Sequence, residues 1–586
     1  MNFIKTIFAA ALGFLLTLAV VFVFCFILIS AAVVSGSGGQ EVKDNTVLQL
    51  DLGLDVPDRV SLENASFAAL AGQAIYTTSL DRIIWGLKKA AKDDHIKGVI
   101  LRSDIYSGGF ASAKEIRNQI LDFRKTGKFV YAYGEVFTEK GYYIASACDS
   151  IFLNPTGILE LNGIAASIVM YKGMLEKLGI EFQVFKVGKY KGAVEPYIKN
   201  EISPENRSQL NDYISSLMTT MVADIGHSRK IDTAKLYQDI VNFEARSPQL
   251  AVDLKFIDKL LYEDEVFVKA ALKAKNDVDK FKPFPFAKYA ETELDYGDNK
   301  DKIAVVFATG EIGLGQGDAE SQIMSKDLVN ELRKVRQDKN VKALVLRVNS
   351  PGGSSNASDI IAREIALIKK KMPVIVSFGN VAASGGYYIS CLADSIFAQP
   401  NTITGSIGVF ALIANPSKLY KEKLGLGYET VSTGEFAELG RPDRALTANQ
   451  GQFIQNMVNT IYSDFLSIVA RGRKMDTAQV ALLAQGHIYS GIRAKELGLV
   501  DQIGGLQDAI AAASLKAGIK DYEISMRPRL KSIFEKFIGP QVADMKVQAT
   551  IPSYLQSMHK HMTQVQNLVN NPTHTYMLLP YELTLF

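Results

Sequence analysis

The chain has 586 residues, enough for two or more domains with sizeable cores. Hydrophobic residues make up 47% and charged residues 22%, an ordinary globular balance, and the net charge of +3 gives no basis for a nucleic-acid partner, which calls for a strongly basic face. Three cysteines (Cys25, Cys148, Cys391) are too few for a disulfide framework; Cys148 and Cys391 have no C-x-x-C or histidine neighbour and read as small core residues.

The first element in chain order is an uncharged run at 6–34, TIFAAALGFLLTLAVVFVFCFILISAAVV. It exceeds the roughly 20 residues that span a bilayer and the roughly 7–15 of a cleaved signal's apolar region. One uncleaved transmembrane helix is therefore expected. Lys5 precedes the run, and Glu41, Lys43 and Asp44 follow it. The positive-inside rule puts Met1 in the cytoplasm and the bulk of the chain outside. SGSGGQ (35–40) is a flexible exit.

Next, IKGVILRS (96–103) and KFVYAYGEV (128–136) read as strands, with a helical pattern at 112–127 between them. Further on, KIAVVFATGEI (302–312), VKALVLRVNS (341–350) and MPVIVSFGNV (372–381) read as strands buried on both faces, with a helix at 357–371. Alternating strands and helices predict an α/β fold with mainly parallel sheets. The charged, proline-bearing stretch at 273–302 reads as a connection between two copies, expected at 47–272 and 303–525. Residues 1–46 hold the anchor and its exit, and 526–586 form a C-terminal extension with an amphipathic LKSIFEKFIG segment, read as a packing helix or a docking or membrane-surface one.

The duplication is explicit in two stretches. EVFTEKGYYIASACDSIFLNP (135–155) aligns without a gap with NVAASGGYYISCLADSIFAQP (380–400), at an offset of 245 residues. Ser384 stands where the first copy has Glu139. A serine between a strand and a helix is also a good N-cap, but Gly385 and Gly386 allow close backbone approach there and free amides for a ligand. RVNSPGGSS (347–355), at the carboxyl end of another strand, is either a tight turn or a device that aims the amides of Gly352 and Gly353 into a cleft. The first copy has IYSGG (105–109) there.

A serine nucleophile needs a base. None of the six histidines ends a recognisable core strand, and His487 reads as structural. A buried, neutral lysine can serve instead. VGKYKGAVEPY (187–197) aligns with STGEFAELGRP (432–442) through Gly188 and Gly434, which sets Lys191 against Ala437. On its own Lys191 would read as a surface charge. In the alignment, one copy keeps a lysine and the other a serine. No metal-ligand spacing occurs; the His559/His561 pair lies in a polar tail, and no cofactor is expected.

VNSPGG, AASGGYYIS, TGSIGV (404–409) and YKGAVEPY together resemble signal peptide peptidase A in its long, duplicated form. The resemblance implies tandem Clp-protease/crotonase-like domains and a membrane-anchored serine endopeptidase with a Ser/Lys dyad, Ser384 and Lys191. It implies oxyanion donors at Gly352, Gly353 and Gly385, and Ser406 as a residue that orients the lysine, where the first copy has Leu161. Remnant signal peptides are the implied substrates, a homotetramer the implied assembly, and the periplasmic side of the bacterial inner membrane the implied location. A broader envelope quality-control protease and an inactive scaffold are the competing readings; an acyl-CoA enzyme is disfavoured by the export anchor.

Overall fold

The computed structural model describes residues 42–53, 56–59, 78–291, 296–317, 322–529, 576–578 and 584–585, with positions 13 and 17 standing alone. The anchor expected at 6–34 lies outside these residues apart from those two positions, as do the LKSIFEKFIG segment and the His559/His561 pair. Among the described residues no helix is long and apolar enough to cross a membrane.

The expected α/β duplication is present as two parallel sheets of one plan. In the first, the order is Lys259–Leu260, Ser150–Leu159, Phe129–Phe137, Ile96–Arg102, Thr46–Asp51 and Phe284–Pro285. The second repeats it with Gln502–Ile503, Ser395–Ala398, Val374–Ala383, Val341–Ser350, Lys302–Thr309 and Glu523–Arg527. Phe284–Pro285 falls within the stretch read as a connection, so that stretch also supplies a sheet edge, the one place where a proline costs no ladder donor.

The unbroken apolar runs have a direct structural reason. Side chains alternate across a strand. From Lys302–Thr309, Ile303, Val305 and Phe307 enter a core shared with the first repeat, while Ala304, Val306 and Ala308 enter a second core under the helices. Val341–Ser350 divides the same way, Ala343 and Val345 against Leu344, Leu346 and Val348. A sheet covered on both faces needs apolar residues at every position. The covering helix Ser325–Gln337 buries Leu328, Val329, Leu332 and Val335 at helical spacing.

The two repeats are also joined by a buried charge cluster. Arg347 has almost no exposed side-chain surface and lies 2.9 Å from Asp58 and 2.7 Å from Glu115, both in the first repeat. It also donates to Ser377 Oγ and the Phe378 carbonyl. Nearby, Asn380 exchanges two hydrogen bonds with Ser112.

A third sheet crosses the boundary between repeats. Its order is Gln322–Met324, Glu311–Gly313, Gly352–Ser354, Tyr576–Leu578, Val409–Asn415 and Glu181–Val187. Glu181–Val187 belongs to the first repeat and pairs antiparallel with Val409–Asn415 over its whole length. That pairing carries a first-repeat segment onto the second repeat.

Candidate active site

Ser384 follows directly on the strand Val374–Ala383 and precedes the short helix Gly385–Ser390. Its backbone is at φ 55°, ψ −115°, a conformation L-residues rarely adopt, as expected for a side chain held up on a sharp strand-to-helix turn. The next two residues must be small. A Cβ on Gly385 would sit 2.8 Å from Ser358 Oγ, and one on Gly386 would sit 2.7 Å from the Ser350 carbonyl. Ser384 occupies the N-cap position, but its side chain makes no cap hydrogen bond. The hydroxyl is engaged with Lys191 instead.

Two neighbouring strands bring the other second-repeat residues to it. Ile403–Gly405 pairs with the end of the Ser384 strand, Ala383 opposite Gly405, and the Ser384 amide donates to the Gly405 carbonyl at 2.8 Å. Ser406 comes next, also at positive φ (52°), its amide donating to the His487 carbonyl at 2.6 Å. On the other side, Ser350 pairs with Ala382, and the chain continues through Pro351 into Gly352–Ser354. This segment is a short strand between Glu311–Gly313 and Tyr576–Leu578 rather than a closed turn. Both glycines are at positive φ; a Cβ on Gly353 would lie 2.1 Å from the Ile312 carbonyl. The Gly352 amide donates to Ser350 Oγ at 3.2 Å.

Lys191 arrives from the first repeat, four residues after Glu181–Val187 ends. Its Nζ lies 2.9 Å from Ser384 Oγ, 3.0 Å from Ser406 Oγ and 3.1 Å from the Ser406 carbonyl. All three residues are fully buried. Removal from water disfavours the ammonium and holds Lys191 well below the ordinary lysine range. The lysine enters through a gap lined by glycines: a Cβ on Gly486 would sit 2.7 Å from Lys191 Cβ, and one on Gly408 would sit 3.2 Å from Lys191 Cδ.

Behind the lysine lies a polar cluster to which the sequence reading assigns no role. Glu195 accepts from Asn206 Nδ2 at 2.6 Å and from the Ser203 amide at 3.0 Å. Gln209 donates to Asn206 Oδ1 and, at 3.0 Å, to the carbonyl of Tyr190, the residue before Lys191. It also accepts from the Ile488 amide of the second repeat at 3.0 Å. Burial would raise the Glu195 carboxyl, but hydrogen bonds from Ser203, Asn206 and Lys199 more than offset it and hold the group below its usual range. The E of YKGAVEPY is the only sequence signal for this cluster. Gly192, to which no role is given, packs against Asn206, whose Nδ2 a Cβ would meet at 1.9 Å.

The Nδ1 of His487, the histidine read as structural, is 2.7 Å from the Ile488 carbonyl, and its ring packs against Tyr190 and Tyr489. Cys148 and Cys391 are free and buried. In the first copy, Glu139 begins the helix Glu139–Ala145, is buried, and accepts from the Gly163 amide at 2.9 Å. Ala437, opposite Lys191 in the alignment, lies in the surface turn Glu435–Glu438.

The profile of peptidase family S49 matches residues 122–277 and 366–520, more than half of the chain. The chain belongs to peptidase family S49. A Clp protease profile matches residues 298–404 of this S49 peptidase, the stretch that carries Gly352, Gly353, Ser384 and Gly385. The Protease 4 of Salmonella typhi is 32% identical over 545 residues, 89% of this chain and 86% of its own. The Protease 4 of Haemophilus influenzae is 34% identical over 74% of this chain and 72% of its own. The chloroplastic serine protease SPPA of Arabidopsis thaliana is 36% identical over 75% of this chain and 66% of its own.

Proposed function

We propose that this S49 peptidase is a membrane-anchored serine endopeptidase in which Ser384 is the nucleophile and Lys191 the general base, and that it degrades signal peptides left after protein export. The observation that carries the reading is the 2.9 Å contact between Lys191 Nζ and Ser384 Oγ, made by a lysine with no exposed surface. A neutral lysine has two N–H groups and one lone pair. With its N–H groups given to the Ser406 hydroxyl and carbonyl, the lone pair faces Ser384. Ser406 thereby acts as a positioning residue.

In this mechanism Lys191 takes the Ser384 proton as Oγ attacks a peptide carbonyl. The amides of Gly385 and Gly352 receive the developing oxyanion, with Gly353 closing the same wall. For Gly352 this requires exchange of its long hydrogen bond to Ser350. Lys191 then protonates the leaving amine, and water, activated by the same lysine, hydrolyses the acyl-enzyme. One site needs both repeats, read as 47–272 and 303–525, so neither is active alone. The apolar run at 6–34 is the anchor, with the catalytic repeats on the periplasmic side and the assembly a homotetramer.

The test is hydrolysis of a fluorogenic peptide by Ser384→Ala and Lys191→Ala, each shown to be folded by circular dichroism. Loss of at least about 10³-fold in kcat is expected from each, as for removal of one member of a catalytic unit. Activity retained by folded Lys191→Ala would exclude the dyad. Degradation of synthetic signal peptides in preference to unfolded envelope proteins tests the substrate class.

A further inference from the structure

Two short segments from different repeats meet around Lys191. Residues 188–192 carry the lysine, and residues 485–488 of the second repeat run beside them. The Tyr190 amide donates to the Gln485 carbonyl at 2.9 Å, the Gly486 amide to the Ile407 carbonyl at 2.8 Å, and the Ser406 amide to the His487 carbonyl at 2.6 Å. The 485–488 segment is thus a splint, with the lysine segment on one side and Ser406 on the other. Backbone bonds alone leave a splint free to slip, since every peptide group offers the same donor and acceptor.

One side chain bonds both segments. Gln209 is fully buried on the helix Pro204–Arg229. Its Nε2 donates to the Tyr190 carbonyl at 3.0 Å, and its Oε1 accepts from the Ile488 amide at 3.0 Å. These bonds have opposite polarity, so a side-chain amide makes both in one orientation only. The other N–H of Nε2 goes to Asn206 Oδ1. Asn206 lies one helical turn earlier on the same face, and its Nδ2 donates to the Glu195 carboxylate at 2.6 Å. A carboxylate only accepts, so it sets the direction of the chain: Asn206 turns its oxygen to Gln209, and Gln209 turns its nitrogen to Tyr190. An apolar side chain of that length would fill the same space. The buried amide adds a fixed distance and direction between Tyr190 and Ile488.

We infer that Gln209 is a positioning residue of this site: it locks the lysine segment of the first repeat in register with residues 485–488 of the second, and so holds Lys191 against Ser384 and Ser406. Its effect on turnover rests on the proposed Ser/Lys reading; the lock itself does not.

The test is Gln209→Met, which keeps the length of the side chain and removes all three bonds. Hydrogen exchange read by mass spectrometry follows the lock without turnover. Peptides covering 188–192 and 485–488 should exchange at least about tenfold faster in the variant, with the strand Ile96–Arg102 unchanged. For a fluorogenic peptide, kcat should fall at least about tenfold at unchanged KM, because the lysine is displaced and the substrate contacts are not. The rise of kcat/KM with pH should move to higher pH, because a loosened lysine meets water and regains proton affinity. A side chain that only stabilised the fold would lower the unfolding midpoint and leave both kinetic readouts in place. Should Gln209→Met fail to fold, Asn206→Ala releases the Gln209 amide from its orienting partner and should give the same changes in smaller measure. Unchanged exchange in the two segments would overturn the inference. So would an unchanged kcat and pH profile in the folded variant when Lys191→Ala is inactive. If Lys191→Ala retains activity while Gln209→Met still speeds exchange in both segments, the dyad reading fails and the lock between the repeats stands.

Discussion

Lys191 Nζ and Ser384 Oγ are 2.9 Å apart and 193 positions apart in sequence. The contact exists because Glu181–Val187 leaves its own repeat and pairs with Val409–Asn415, the strand that follows Ser406. Each partner lacks its counterpart within its own copy, where Glu139 and Ala437 stand instead.

Burial of that lysine fixes the sign of the pH dependence. In the proposed mechanism the neutral amine is the active form, so kcat/KM should rise with pH through an apparent pKa well below the ordinary lysine value of about 10.4 and be lost on acidification. Stability follows the same direction. The folded-state value is depressed, so the unfolded chain binds more protons between the two values and stability increases with pH there. Lys191→Met should abolish activity, remove that slope, and raise the thermal midpoint more at pH 6 than at pH 9. A pH–rate profile and calorimetry on both proteins check this.

Gly486 tests whether the lysine's position matters as much as its presence. It is at φ 76°, and an added Cβ would lie 2.7 Å from Lys191 Cβ, a contact that backbone on both sides must absorb. Gly486→Ala should push Lys191 off Ser384 and lower kcat by about 10²-fold, the cost of roughly 1 Å of misplacement. Steady-state kinetics with a folded-state control by circular dichroism measure it.

Glu139 fills the position that Ser384 holds in the second copy, and it is costly at neutral pH. Burial pushes its carboxyl up to about 7 from 4.5, only partly countered by the Gly163 amide and Lys140. A raised folded value means that the stabilising protonated form is fully present below about 4.5 and is lost as pH climbs through about 7. Glu139→Gln should therefore gain about 1–3 kcal/mol over the parent at pH 8, with little gain at pH 4.5. Urea unfolding at the two pH values gives the comparison.

Arg347 should be the most sensitive single position at the junction of the repeats. Asp58 and Glu115 are both buried against it, and burial alone would raise Glu115. Arg347→Met leaves two carboxylates without their cation and should cost about 3–5 kcal/mol. Because the strand next to that of Arg347 leads directly to Ser384, peptide hydrolysis should fall along with the unfolding midpoint. Denaturant titration and peptide hydrolysis on one preparation would show both.

The residues themselves determined the repeat and its sheets. Unbroken apolar runs such as 341–350 state that both faces of a strand are covered, and Ser384 against Glu139 marks where one copy differs in chemistry. They also determined that a serine and a lysine survive on different copies. Tertiary structure alone decided that the two meet. A lysine's proton affinity depends on how completely water is excluded, and here that exclusion is built by Lys191, Ser384, Ser406, Gly408 and Gly486, drawn from distant segments. The Glu195–Asn206–Gln209 cluster escaped the sequence for the same reason, since only the fold sets Gln209 against the backbone of Tyr190. The strand Tyr576–Leu578 escaped it for a different one. Its pairing with Gly352–Ser354 is made by backbone groups, which every residue except proline carries alike, so no side-chain pattern announces it.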